Sequence, residues 1–233
     1  MLEHGVFNGW RLFLLTSLPI SAAVIFSMTA LDMSQAENVS ALIQLSVRCA
    51  VPFLYLAFAA SSLQALFPGD TSRWLLRNRR IMGLIYTAAM AWQGVFIVWL
   101  VSVHRDYYVD QVYVLRDAIE GVLGYAFLIA MAITSFKTTR RLMQPKHWKL
   151  LHTSGIYFLW AYAFSVYWYA LFYYQEPVLI DYIYYWSGFL ACALRTAAWF
   201  KKRWQQAEKK TPEVRVKPGI VLPGLVVIGL GLV

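Results

Sequence analysis

GLIYTAAMAWQGVFIVWLVSV, residues Gly83 to Val103, runs for 21 positions without one charged side chain. Wound as an α-helix at about 1.5 Å per residue, it covers roughly 30 Å, the thickness of a bilayer's hydrocarbon. It reads as a transmembrane helix. The amide of Gln93 sits near its middle, where a polar group needs a partner or a purpose.

Working outward, comparable apolar segments occupy roughly residues 11–31, 44–67, 118–136, 150–173 and 178–199. Sixty per cent of the chain is hydrophobic and 14 per cent charged, against roughly a quarter charged in ordinary soluble domains. Lipid cannot satisfy an open backbone, and barrel strands would show short alternating segments. The expectation is therefore an all-α, polytopic membrane protein, a six-helix bundle whose partner is the lipid bilayer.

The loops orient it. Residues 32–43 carry Asp32 and Glu37 and no Lys or Arg, whereas 68–80 carry Arg73, Arg77, Arg79 and Arg80. Residues 104–117 mix Arg105 and Arg116 with three aspartates; 137–149 hold Lys137, Arg140, Arg141, Lys146 and Lys149. The tail then opens with Lys201, Lys202 and Arg203. Basic residues thus fall on alternate loops, which by the positive-inside rule places the amino terminus and residues 200–217 in the cytoplasm. This sidedness accounts for the net charge of +9 without nucleic acid. The expected location is an integral, multi-pass position in a bacterial inner membrane. The first apolar run exceeds the 7–15 residues of a signal-peptide core and is read as a retained helix.

By domain, residues 10–200 form the membrane unit and 201–217 a basic cytoplasmic linker. Residues 218–233 form an apolar, glycine-rich tail whose placement the sequence leaves open. Cys49 and Cys192 fall near opposite faces, too far apart for a disulfide.

Ionisable groups at depth are functional candidates, and few occur here. Arg48 lies near the outer end of the second segment, placed either to hold a carboxylate or phosphate or to snorkel to the interface. Arg195, near the inner end of the sixth, can snorkel to headgroups. No charge occupies the expected midplane, which argues against an ion pump or proton relay. Aromatic residues crowd the outer halves of the fifth and sixth segments, as an interfacial belt does. Of four histidines, His152 stands out, within the first turn of the fifth helix.

Three motifs carry a resemblance. They are Ser46-Val47-Arg48-Cys49-Ala50 opening the second helix, RWLLRNRRIMGLIY (Arg73 to Tyr86), and RRLMQPKHWKLLHTSGIYFLW (Arg140 to Trp160). In order and placement they resemble the ferric reductase-like transmembrane domain superfamily over about residues 10–200. That superfamily includes the haem membrane subunit of bacterial methionine sulfoxide reductase systems and the membrane part of NADPH oxidases. The resemblance implies a six-helix bundle holding b-type haem between the third and fifth helices, each iron ligated by histidines. Paired histidines about 13 residues apart, roughly 20 Å along one helix, serve two haems at different depths.

On this chain the family's usual histidine of the third helix falls at Gln93, and a less constant one at Met90. His152 matches the inner histidine of the fifth helix; thirteen residues on stands Ser165. The outer pair would be Gln93 and Ser165, and the inner site would hold His152 as its one axial ligand to metal, with Met90 a further donor in principle. No nucleotide fingerprint of the GxGxxG type is present, so electrons would come from a separate flavoprotein or from quinol.

Three readings follow. The first is a b-type haem electron-transfer subunit, at most the membrane part of an oxidoreductase. The second is a haem-free binding or assembly subunit that has lost the ligands, with Gln93 and Ser165 as an inter-helix contact. The third, a small-solute transporter, ranks last for want of midplane charge or broken helices.

Overall fold

The computed structural model describes residues 7–173 and 176–210. Six long helices account for most of them: α1 (Gly9–Ala30), α2 (Ala36–Leu66), α3 (Asp70–Val103), α4 (Leu115–Ile133), α5 (Pro145–Phe172) and α6 (Leu179–Lys210). Single turns at Arg105–Tyr107 and Lys137–Arg140, and a π-helical turn at Tyr108–Val112, complete the helical residues. No strand occurs among the described residues. Residues 211–217 and the 218–233 tail lie outside the described residues.

Four helices, α1, α2, α3 and α5, are long and apolar enough to cross a membrane. The protein is an all-helical, multi-pass membrane protein. In α4 the charges of Arg116, Asp117 and Glu120 break the apolar run. In α6, Arg195 and a succession of tyrosines and tryptophans dilute it.

Every long helix contains one apolar segment read from the sequence, yet most run past it. The stretch 68–80, expected as a loop, is a turn of three residues, and Arg73, Arg77, Arg79 and Arg80 stand on the first turns of α3. Likewise α2 begins at Ala36, inside the expected 32–43 loop, and α6 continues into the expected linker as far as Lys210. The cause is simple. Hydropathy marks only the part of a helix that lies in hydrocarbon, whereas backbone hydrogen bonding continues into water until a capping sequence stops it.

Local chemistry sets those stops. After Pro68, the backbone N–H of Gly69 donates to Ser72 Oγ (3.0 Å), and the Ser72 hydroxyl lies 2.9 Å from Gln64 Oε1, closing the α2–α3 corner. Pro145 occupies the start of α5, where its missing N–H costs nothing.

The central helix is α2. It packs along α3 and against α6, with α1 and α5 touching it more lightly. Its inward face carries Ala50, Val51, Leu54 and Phe58, all essentially inaccessible. Pro52 lacks the N–H that would bond the carbonyl of Arg48 four residues back; the Tyr184 hydroxyl of α6 donates to that oxygen instead (2.8 Å). A close approach of α6 to α2 occurs at Gly188, where even a Cβ would lie 2.7 Å from Tyr55 Oη and 3.0 Å from Phe164. The hairpin α4–α5 packs against α6 and α2 through α5. As a result α3 and α5 barely touch, and a space is left between them.

Candidate functional site

The sequence anticipated that the space between α3 and α5 matters, and its two halves differ. Gln93 points toward α4. The Tyr125 hydroxyl lies 2.9 Å from Gln93 Oε1 and 3.0 Å from the Met90 carbonyl oxygen, and its one proton serves these two acceptors. The ring also lies over Gly94, 3.4 Å from where a Cβ would be. Ser165 is occupied within its own helix, donating to the Tyr162 carbonyl (2.8 Å). The expected Gln93–Ser165 contact is therefore replaced by a Gln93–Tyr125 contact, because α4 rather than α5 is the helix that reaches α3 at this depth. Met90 is buried and contributes its backbone oxygen, not its sulfur, to the Tyr125 interaction.

The other half is open. At the end of the bundle where the basic residues gather, a cavity of about 510 Å³ lies between α2, α3, α4 and α5. That this is one end is clear from the cross-helix contacts there: Arg195 Nη1 donates to the Phe58 carbonyl (2.9 Å), and Lys201 Nζ to the Ala65 carbonyl (2.8 Å). His152 lines the cavity. Its Nε2 is 3.0 Å from Thr134 Oγ1, and that hydroxyl lies 2.7 Å from the Ala130 carbonyl. Since the hydroxyl's proton goes to the carbonyl, the imidazole Nε2–H is the donor to Thr134. Trp148 braces the ring, with centroids 4.3 Å apart, and the Arg140 guanidinium lies 4.4 Å from the indole centroid. The indole N–H donates to the Thr134 carbonyl (3.1 Å).

Five cationic side chains line the cavity, Arg79, Arg80, Lys137, Arg140 and Lys149, and among the described residues no aspartate or glutamate does. Its inner end is apolar, formed by Leu54, Leu128, Ile156 and Leu159 among others.

Do these residues fit a b-type haem ligated from both sides? The Nε2 of His152 is committed to Thr134. Facing it, α3 presents Arg79, Arg80, Gly83, Leu84, Tyr86 and Thr87; there is no histidine or methionine among them, and the Tyr86 phenol is the one group of a kind that ligates haem iron. The sulfur of Met131 also borders the cavity, but it is packed into the notch at Gly155, one turn from His152 on the same wall. The donor set does not fit the histidine-paired haem that the resemblance implies.

At the opposite end, Arg48 lies 4.0 Å from Asp181 Oδ1, and Asp181 Oδ2 also accepts from the Val178 N–H (3.1 Å). The anion that Arg48 faces is thus internal. Arg195, expected to snorkel, instead turns inward onto Phe58 and Tyr157, whose rings it covers at 4.5 Å each. A carbonyl and a phenol oxygen on neighbouring helices satisfy it better than lipid would. Of the five residues singled out from the sequence, Met90 and Gln93 share Tyr125; His152, Ser165 and Arg48 stand apart from them and from each other.

Sequence reasoning passed over Tyr125 and Arg79. A signal for Tyr125 existed. Between Glu120 and Thr134 it is the one N- or O-bearing side chain able to hydrogen-bond.

No family model, no curated protein and no solved structure matches this chain.

Proposed function

We propose that the protein is a six-span membrane bundle of the ferric reductase-like kind that works without haem, as a binding or assembly subunit. All six long helices serve as spans, and the basic end faces the cytoplasm, in keeping with the positive-inside rule. The observation that carries the haem-free reading is Tyr125: its ring and hydroxyl take up the place beside Gln93 and Met90 where an outer haem would sit. The deep half of the space between α3 and α5 is filled by protein, so the relay of two stations that transmembrane electron transfer needs is missing.

One observation favours a second reading. The cavity opens directly at His152, so a single b-type haem held there, fed by a separate flavoprotein or by quinol, is the alternative. An absorbance spectrum decides between them. Protein expressed with ample haem and purified is expected to be colourless above 400 nm; a Soret band with a reduced α-peak of the b type overturns the haem-free reading.

A further inference from the structure

Among the described residues, Arg79 is a half-buried charge without a charged or hydrogen-bonding partner. It stands at the cavity wall, and it has no hydrogen bond or ion pair to any described residue. Its charged neighbours repel it: Arg140 stands across the cavity mouth, and Arg195 is taken up by Phe58 and Tyr157. A half-buried guanidinium that no described residue pairs is costly, and among the described residues the other four cations bring no acid to the cavity with them. Something anionic belongs there.

The cavity also has a direction. On α3 it runs from Arg79 to Thr87, and on α5 from Trp148 to Leu159, about 12–16 Å along each helix at 1.5 Å per residue. Charge is confined to one end. Arg80, Arg140 and Lys149 are exposed at the rim, while Leu128, Ile156 and Leu159 are buried at the other end. A small soluble anion uses only the rim and gains nothing from the apolar depth. A molecule with an acidic head and a hydrocarbon body uses both. Basic pockets between helices at the cytoplasmic surface are suited to anionic lipid headgroups.

We infer that this cavity is a binding site for an anionic phospholipid, its phosphate held by Arg79 and Arg140 and its apolar part lying along Leu128, Ile156 and Leu159. Trp148 touches both Arg140 and His152 at the mouth. The inference rests on the haem-free reading and gives that reading a ligand.

The test uses the full chain in neutral detergent micelles. Its Tm is followed as phosphatidylglycerol, phosphatidylcholine or inorganic phosphate is added. Phosphatidylglycerol is expected to raise Tm saturably, and phosphatidylcholine to do so at least tenfold less effectively. Arg79→Gln, and separately Arg140→Gln at the exposed rim should the first variant fail to fold, are expected to weaken the response tenfold or more. Arg105→Gln, outside the cavity, leaves it unchanged. Equal responses to the two lipids, or equal loss in the Arg105 variant, overturn the assignment. If inorganic phosphate alone reproduces the shift and prevents that of the lipid, the site takes a soluble phosphate compound and the lipid assignment fails. A Soret band in the same sample sinks the haem-free reading; its absence together with a lipid-insensitive Tm sinks this inference alone.

Discussion

The deep and shallow halves of the space between α3 and α5 are built from the same two helices and end up opposite in character. In the deep half, α4 leans close enough for Tyr125 to reach Gln93 and the Met90 carbonyl. At the basic end the same helices leave about 510 Å³ open, bordered by His152 and unpaired cations. One tyrosine closes a site where three arginines hold one open. A polar group in lipid that finds a protein partner becomes packing, whereas one that finds none keeps a claim on a ligand.

The contrast can be broken most sharply by restoring the deep site. Gln93→His with Ser165→His is expected to stay colourless, because Tyr125 still occupies the space. Adding Tyr125→Ala is expected to yield a b-type Soret band. A triple variant that folds but remains colourless would show that the deep half is not a filled haem position. Next in size is a pair of glycines. Gly188→Ala forces a methyl against Tyr55 and Phe164 and should cost about 1–3 kcal/mol. Gly83→Ala, beside the cavity with nothing within 4 Å, should be neutral or stabilise by up to about 1 kcal/mol. Thermal unfolding of both variants compares closed with open packing by a single carbon.

Smaller still is the Gln93–Tyr125 bond. A double-mutant cycle with Gln93→Leu and Tyr125→Phe should give a coupling of about 0.6 kcal/mol, typical of hydrogen bonds within membranes; a coupling near zero would make the tyrosine's ring, not its hydroxyl, the filler. The smallest effect lies outside both halves. In the α1–α2 loop, the hydroxyl and backbone N–H of Ser34 donate to the Asp32 carboxylate (2.7 and 3.0 Å) and hold its pKa below the ordinary carboxylate value. With a folded pKa lowered, the stabilisation is present above the ordinary value and lost as pH falls through the lowered one. Ser34→Ala should move the Asp32 titration upward, as read by NMR, with little change in Tm at neutral pH.

Much of the architecture was legible in the residues themselves. Gly83 to Val103 announces a span because an uncharged run of that length has no other economical use, and the long helices fall where the apolar segments do. His152 was singled out through the resemblance and borders the cavity, although α5 begins at Pro145 and sets it two turns in rather than on the expected first turn. Gln93 was correctly marked as needing a partner, and the partner assigned to it was wrong. The resemblance pairs α3 with α5, and nothing local to Gln93 records that α4 comes nearer.

The sequence by itself determined the helices, their apolar stretches and the clustering of positive charge on alternate connections, because these depend on hydrophobicity and spacing along one chain. Which helices touch at a given depth was decided only by the tertiary structure. That choice depends on where small residues such as Gly188 and Gly94 let neighbours approach, and on the room the remaining side chains leave. It made Tyr125 the partner of Gln93, turned Arg195 inward, and left Arg79 facing an open cavity with no counter-charge from the described residues.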